Sequence, residues 1–218
     1  MKYMKLDSFL AAAFLFFASM ALAQNMTDDN SNMVYAMGVT IADDMKKAGL
    51  EKFDKNLLIK AIDEYMAGKS TMDITAAKGI INKFKTDMMI KAGADFLAAN
   101  AKKPGVISLP NGIQYEVLAS GPAGGPKPKL TDKVKTHYHG TLIDGKVFDS
   151  SVQRGEPISF GLGQVIKGWQ ESLQLMSVGD KWRIYLPYNL AYGERGAGGS
   201  IPPYATLIFE VELLGINE

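Results

Sequence analysis

The side chains best placed for chemistry in this 218-residue chain are aromatic rather than ionisable. Tyr138, Phe148, Phe160, Trp169, Tyr192 and Phe209 stand at positions read as inward-facing, and together they offer more aromatic surface than one small helix–sheet seam usually needs. A cavity lined by such rings with few polar groups suits a small apolar ligand or side chain. Other chemistries have little to draw on. There is no cysteine, so thiolate nucleophiles, disulfides and thiolate metal sites are excluded. The two histidines, His137 and His139, lie two apart on one face of a strand, but no carboxylate neighbour is evident in the sequence and a metal is not expected. Residues 163–168 have phosphate-loop spacing, yet Trp169 stands where a lysine must reach the phosphate. The glycine-rich stretch 193–199 runs into Ile201-Pro202-Pro203 rather than a helix, and reads as a flexible rim loop. A net charge of +1 excludes the basic excess of a nucleic-acid binder.

The elements that must hold these rings follow from periodicity. In residues 133–139, Val134, Thr136 and Tyr138 alternate with Lys133, Lys135, His137 and His139. Asp144-Gly145 is a hairpin turn signal, after which Lys146-Val147-Phe148 returns as a strand. Trp182, Ile184 and Leu186 point inward from one further strand, and Leu207, Phe209, Val211 and Leu213 from another. Ile166, Trp169 and Leu173 recur at three and four residues, the mark of a short helix with one buried face. Antiparallel strands curling over one short helix make an α+β fold.

Upstream the pattern changes. All nine prolines lie from Pro104 onward, and residues 26–103 read as three helices. Val34, Met37, Ile41 and Met45 form the stripe of the first, which Gly49 ends. The second starts near Asp54 as cap, carries Leu57, Leu58, Ile62, Tyr65 and Met66, and stops at Gly68. The third is capped by Asp73 and runs from Ile74 to about Ala101, roughly 42 Å. Gly79 and Gly93 inside it cost about 1 kcal/mol each relative to alanine. These stripes need a partner: a second copy of the chain, or, as the alternative, the C-terminal domain itself. At the N-terminus, Lys2 and Lys5 precede an apolar run over residues 9–18 and the small-x-small site Ala21-Leu22-Ala23. That is the pattern of a cleaved secretory signal peptide, too short to span a bilayer. The expected organisation is a signal over 1–23, a helical domain over 24–103 and the α+β domain over 104–218, in a periplasmic protein with no membrane anchor after cleavage.

Motifs in order carry a family resemblance. Val134-Lys135-Thr136-His137-Tyr138-His139-Gly140-Thr141-Leu142, Val147-Phe148-Asp149-Ser150-Ser151, Gln164-Val165-Ile166-Lys167-Gly168-Trp169, Leu190-Ala191-Tyr192-Gly193, and the run from Ile201-Pro202-Pro203-Tyr204-Ala205-Thr206 to Leu213 resemble the FKBP-type peptidyl-prolyl isomerases. Phe96-Leu97-Ala98-Ala99-Asn100 and Gly112-Ile113-Gln114-Tyr115 resemble the entry to that domain in secreted bacterial members of the macrophage infectivity potentiator and FkpA type, whose helical N-terminal domain dimerises. The resemblance implies an FKBP-like antiparallel sheet curled over one short helix, preceded by an all-α dimerisation domain ending in a long helix. It implies a catalytic set of Tyr138, Phe148, Asp149, Ile166, Trp169, Tyr192 and Phe209, with Ile158, Phe160, Val165 and Ile201 binding substrate, and no cofactor or metal. Trp169 would be the floor under a proline ring, and Ile201 would close the rim. The Ile166 N–H and Tyr192 hydroxyl would donate to substrate carbonyls, and Asp149 would hold the Tyr138 hydroxyl. The implied partners are proline-containing polypeptides, unfolded exported proteins and a second copy of the chain. Macrolide inhibitors belong to the same pocket, although Ile158 replaces a pocket aromatic of the best-known members and the rim loop lacks a histidine. The functional alternatives are a chaperone holding unfolded chains in a dimer cleft, with isomerisation secondary, and a surface-exposed factor acting on a host partner.

Overall fold

The computed structural model describes residues 29–50 and 52–217, so the segment read as a signal peptide, and Met26, lie outside the described residues. The chain divides into two compact units, one ending at Thr71 and the other beginning at Met72.

The first unit holds helices α1 (Asp29–Lys47) and α2 (Lys55–Met66). Their ends follow ordinary capping chemistry. Gly49, with φ +74°, closes α1 as its N–H and that of Leu50 bond back to the Lys46 and Met45 carbonyls. Asp54 opens α2 by accepting from the Asn56 and Leu57 N–H groups at 2.9 and 3.3 Å. Neither helix buries a residue within the single chain. Met33, Val34, Met37, Leu57, Ile59 and Met66 are all more than half exposed.

The second unit opens with α3 (Ile74–Asn100), capped by Asp73 through the Thr75 and Ala76 N–H groups. Its strands are β1 (Val106–Ser108), β2 (Gln114–Ala119), β3 (Lys133–Leu142), β4 (Val147–Ser150), β5 (Ile158–Gly161), β6 (Lys181–Leu186) and β7 (Leu207–Ile216). The sheet runs β1-β2-β6-β7-β3-β4 with β5 also on β3, and every pairing is antiparallel. The one-turn helix α4 (Ser151–Arg154) follows β4, and α5 (Lys167–Leu173) crosses the inner face. Mixed α+β architecture with an antiparallel sheet over one short helix is thus the observed fold of this unit. The alternation expected for β3, β6 and β7 holds: Val134, Thr136, Tyr138, Ile184, Leu186, Leu207, Phe209, Val211 and Leu213 are buried. On the outer face Arg183 donates to Glu116 at 3.1 Å and Glu210 at 2.6 Å, a ladder across three strands.

Tyr185 departs from the alternation. It points to the outer face yet is buried, because Phe96 of α3 packs against it with ring centroids 6.0 Å apart. Nearby, the buried Asn100 donates to Gln114 Oε1 at 3.0 Å, and Gln114 Nε2 donates to the Leu97 carbonyl at 2.9 Å. The C-terminal half of α3 therefore belongs to the sheet's packing. Its two glycines then differ in meaning. A Cβ at Gly93 would stand 2.3 Å from Thr206 Oγ1, whereas Gly79 has nothing within 4 Å. Gly93→Val should lower the melting temperature, the overpacking costing about 1–3 kcal/mol. Gly79→Ala should leave it unchanged or raise it, by up to about 1 kcal/mol of helix propensity. Thermal melts of the two variants check this; equal effects would show that Gly93 is not a close-approach site.

Candidate active site

The inner face of the sheet and α5 enclose a cavity of about 390 Å3. Its floor depends on a glycine. Gly168, beside Trp169 on α5, lies so close to β6 that a Cβ there would come within 2.6 Å of Leu186 Cδ2. The helix can thus press onto the sheet and drive the indole into the ring cluster. Trp169 meets Tyr138 and Phe209 edge-on at 5.4 and 5.2 Å between centroids, with interplanar angles of 84° and 83°. Phe160 packs against it at 5.5 Å, and Phe148 stands edge-on to Phe209 at 5.4 Å. Edge-to-face rings at these distances gain beyond their buried area and fix one another's orientation. Gly140 opposite supports the arrangement from β3, since a Cβ there would meet Phe148 Cζ at 2.6 Å and Phe209 Cε1 at 3.0 Å.

All eleven residues named from the sequence line this one cavity, whose remaining lining residues are Ala197, Gly198 and Ser200 of the rim loop. Trp169, Tyr138, Phe209 and Ile201 are nearly buried, while Ile158 and Tyr192 are each 40% exposed at the mouth. The rim loop is tied across its base, Ala197 and Ile201 exchanging two N–H···O bonds of 3.0 Å. Gly196 must be glycine there, with φ +64° and the Ile201 carbonyl oxygen 2.2 Å from any added Cβ. Ile166 caps α5, its carbonyl accepting from Trp169 and Gln170; its own N–H donates to no acceptor among the described residues. The indole N–H of Trp169 is likewise buried without a partner.

The polar side of the site is small. The Tyr138 hydroxyl donates to Asp149, and Arg154, which the sequence reading missed, donates to both: to Asp149 Oδ1 and, at 3.0 Å, to the Tyr138 hydroxyl oxygen. The signal for Arg154 was a serine cap at Ser150 and a glycine at 155, which bracket one helical turn and swing an arginine back over Asp149. Partial burial pushes the Asp149 carboxyl up, but the hydrogen bonds from Tyr138 and Arg154 outweigh it and hold it below the usual carboxylate range. Burial, and then the nearby Asp149, push Tyr138 and Tyr192 above the ordinary phenol value. The two histidines lie behind the site, on the outer face. Two carboxylates do face them, correcting the sequence reading: Glu212 stands opposite His137 and Glu210 opposite His139 across the β3–β7 ladder. Among the described residues no group of three or more acidic or histidine side chains is arranged to hold a metal.

The family model described as FKBP-type peptidyl-prolyl cis-trans isomerase matches residues 124–214, and that of the domain amino-terminal to it matches residues 30–117. The chain is 42% identical over 193 residues to the FKBP-type 22 kDa peptidyl-prolyl cis-trans isomerase of Escherichia coli, covering 84% of this chain and 93% of that one. It belongs to the FKBP-type peptidyl-prolyl cis-trans isomerases. It is also 36% identical to the outer membrane protein MIP of Legionella longbeachae, over 90% of this chain and 89% of the relative. The crystal structure of FkpA from Escherichia coli superposes with a TM-score of 0.56 at 34% identity, covering 88% of this chain and 98% of that one. The chain is therefore an isomerase of X–Pro peptide bonds, and the chaperone-first alternative is not favoured over it.

Two outcomes are expected of this FKBP-type enzyme. Gly140→Ala should stay folded, the added methyl costing about 1–3 kcal/mol, while pushing Phe148 and Phe209 into the cavity and lowering kcat/KM about tenfold or more. A peptide assay on the variant checks it; an unchanged rate would separate the cavity from catalysis. Second, activity should be flat from about pH 5 to pH 9. With its pKa depressed, Asp149 keeps its charge as pH falls until it passes below the ordinary carboxylate range, and with theirs raised the tyrosines stay neutral as pH rises. A bell-shaped profile centred near neutrality would contradict this.

Proposed function

We propose that the aromatic cavity is where this isomerase turns the X–Pro bond, and that it does so without covalent, acid–base or metal chemistry. The observation that supports this is the convergence of eleven side chains from separate elements on one largely apolar cavity with Trp169 as floor. The barrier to rotation is about 18–20 kcal/mol because amide conjugation must be broken. In the twisted transition state the carbonyl loses conjugation and carries less charge, so a dry aromatic surrounding favours it over the planar ground state. Trp169 bears the proline ring, with Tyr138, Phe148, Val165, Ile166 and Phe209 as walls and Phe160, Ile158 and Ile201 towards the mouth. The free Ile166 N–H and the Tyr192 hydroxyl hold flanking substrate carbonyls. Asp149, fixed by Tyr138, faces the carbonyl carbon as it twists.

The setting follows from the rest of the chain. The exposed apolar stripes of α1 and α2, and a match to the amino-terminal domain of this family, support a homodimer. The apolar run over residues 9–18 and Ala21-Leu22-Ala23 support export to the periplasm with cleavage before Gln24. Among the described residues no helix is long and apolar enough to cross a membrane. Substrates are then proline-containing segments of exported proteins as they fold.

Asp149→Ala should lower kcat/KM on a short Leu-Pro peptide about tenfold to a hundredfold, the range expected for losing a charged hydrogen-bonding group. A protease-coupled assay measures it, and full activity would refute the assigned site. Light scattering on residues 24–218 should give the mass of two chains, and aspartate at both Met37 and Ile41 should give one chain with peptide activity intact. A wild-type mass of one chain at micromolar concentration would refute the dimer.

A further inference from the structure

The outer face of the sheet carries a second cavity, of about 370 Å3, behind the aromatic one. The strand register builds its floor. In one cross-strand row His139 of β3 stands beside Glu210 of β7, and Glu210 beside Arg183 of β6; in the next row Thr141, Ile208 and Tyr185 stand side by side. These six alternate with Tyr138, Phe209 and Ile184, which face the core. The end of α3 supplies the wall. Phe96 packs on Tyr185, and Lys103 lies in the turn that follows the helix. A charged row and an uncharged row thus lie together under a helix end, enclosing a volume in the range of small-ligand sites.

The groups left over in this cavity define a ligand. Arg183 is fully engaged: Nε and one amino group donate to Glu210 Oε1 at 3.1 and 2.6 Å, and the other amino group donates to Glu116 at 3.1 Å. Lys103 is not. Its ammonium lies 5.9 Å from the Phe96 ring centroid and meets no carboxylate among the described residues. The Thr141 hydroxyl and Glu210 Oε2 are likewise without partners among the described residues, and His139 spends only Nδ1, on Ser150 at 3.0 Å. Arg183 and Glu210 cancel, so Lys103 leaves the lining with one positive charge. That balance suits a monoanion, since a dianion would leave charge uncompensated beside Glu210. An ammonium and a hydroxyl are donors for a carboxylate. The open oxygen of Glu210 calls for an N–H close to that carboxylate, and Phe96, Tyr185 and Ile208 call for an apolar side chain. The last residue of a polypeptide joins all three features. We propose that the outer cavity binds the carboxylate end of a polypeptide whose last residue is apolar, as a second peptide site separate from the isomerase cavity. Lys103 and Thr141 take the carboxylate, Glu210 Oε2 accepts from the last peptide N–H, and Phe96, Tyr185 and Ile208 cover the side chain.

The probe is N-acetyl-phenylalanine, titrated into the full chain and followed by NMR of the Thr141 and Ile208 methyl groups and the Trp169 indole. Both methyl signals should shift and saturate while the indole signal stays in place. N-acetyl-phenylalanine amide, which lacks the charge, and hydrocinnamate, which lacks the N–H, should each bind about tenfold more weakly or worse. Lys103→Met should weaken binding about tenfold and Thr141→Val, read at Ile208, about threefold, while Lys102→Met, one residue outside the cavity, should leave it unchanged. Lys102 and Lys103 are exposed and none of the three residues lines the isomerase cavity, so all three variants should melt with the wild type and isomerise a short X–Pro peptide at its rate. No saturable shift at Thr141 and Ile208, or shifts at Trp169 alone, would overturn the site. Equal binding of the amide, or undiminished binding by Lys103→Met, would overturn carboxylate recognition. Equal binding of hydrocinnamate would overturn the chain end as the ligand.

Discussion

An indole can serve as the floor of a dry pocket only if its helix lies closer to the sheet than two ordinary side chains permit. Gly168 removes the obstacle, letting α5 rest against Leu186 and placing Trp169 among Tyr138, Phe160 and Phe209. Gly140 does the same from the sheet side, where Phe148 and Phe209 occupy the space a methyl would need. Two missing methyl groups therefore set the spacing of the rings. The ring spacing sets the shape of the cavity, and the proposed preference for a twisted over a planar amide depends on its being largely apolar. The polar groups Asp149 and Arg154 sit at one edge, away from the Trp169 floor.

Much of this was legible in the sequence, for identifiable reasons. Caps are local, so Asp54 and Asp73 as helix starts and Gly49 and Gly68 as helix ends could be read from a few residues each. Alternation is local too, and Val134 to Tyr138, Trp182 to Leu186 and Leu207 to Leu213 have their inward residues where period two puts them. The ring set was recognised from its order along five motifs, since each aromatic alone is as good a core residue as a pocket residue.

What escaped depends on contacts between distant segments. Val106–Ser108 is only three residues long and is a strand because β2 pairs with it. Tyr185 is buried by Phe96, some ninety residues earlier, and no pattern around β6 announces that cover. The glutamates opposite His137 and His139 follow from the β3–β7 register, which joins segments about seventy residues apart. Arg154 was only half legible: Ser150 and Gly155 mark the turn that carries it, but the Ser151 hydroxyl that replaces a ladder rung on Tyr138, where the chain leaves β4, is not encoded in spacing.

The contact between Gly93 and Thr206 also bears on mechanics. Thr206 immediately precedes β7, the strand that carries Phe209, and the Asn100–Gln114 and Phe96–Tyr185 contacts fasten the same helix to β2 and β6. With three attachments spread over two helical turns, α3 can neither roll about its axis nor slide along it without breaking buried contacts. Its 27 residues, about 40 Å at 1.5 Å each, thus act as a stiff shaft welded to the catalytic unit rather than as a tether. A load applied at its end near Ile74 is therefore carried directly into β2, β6 and the chain entering β7.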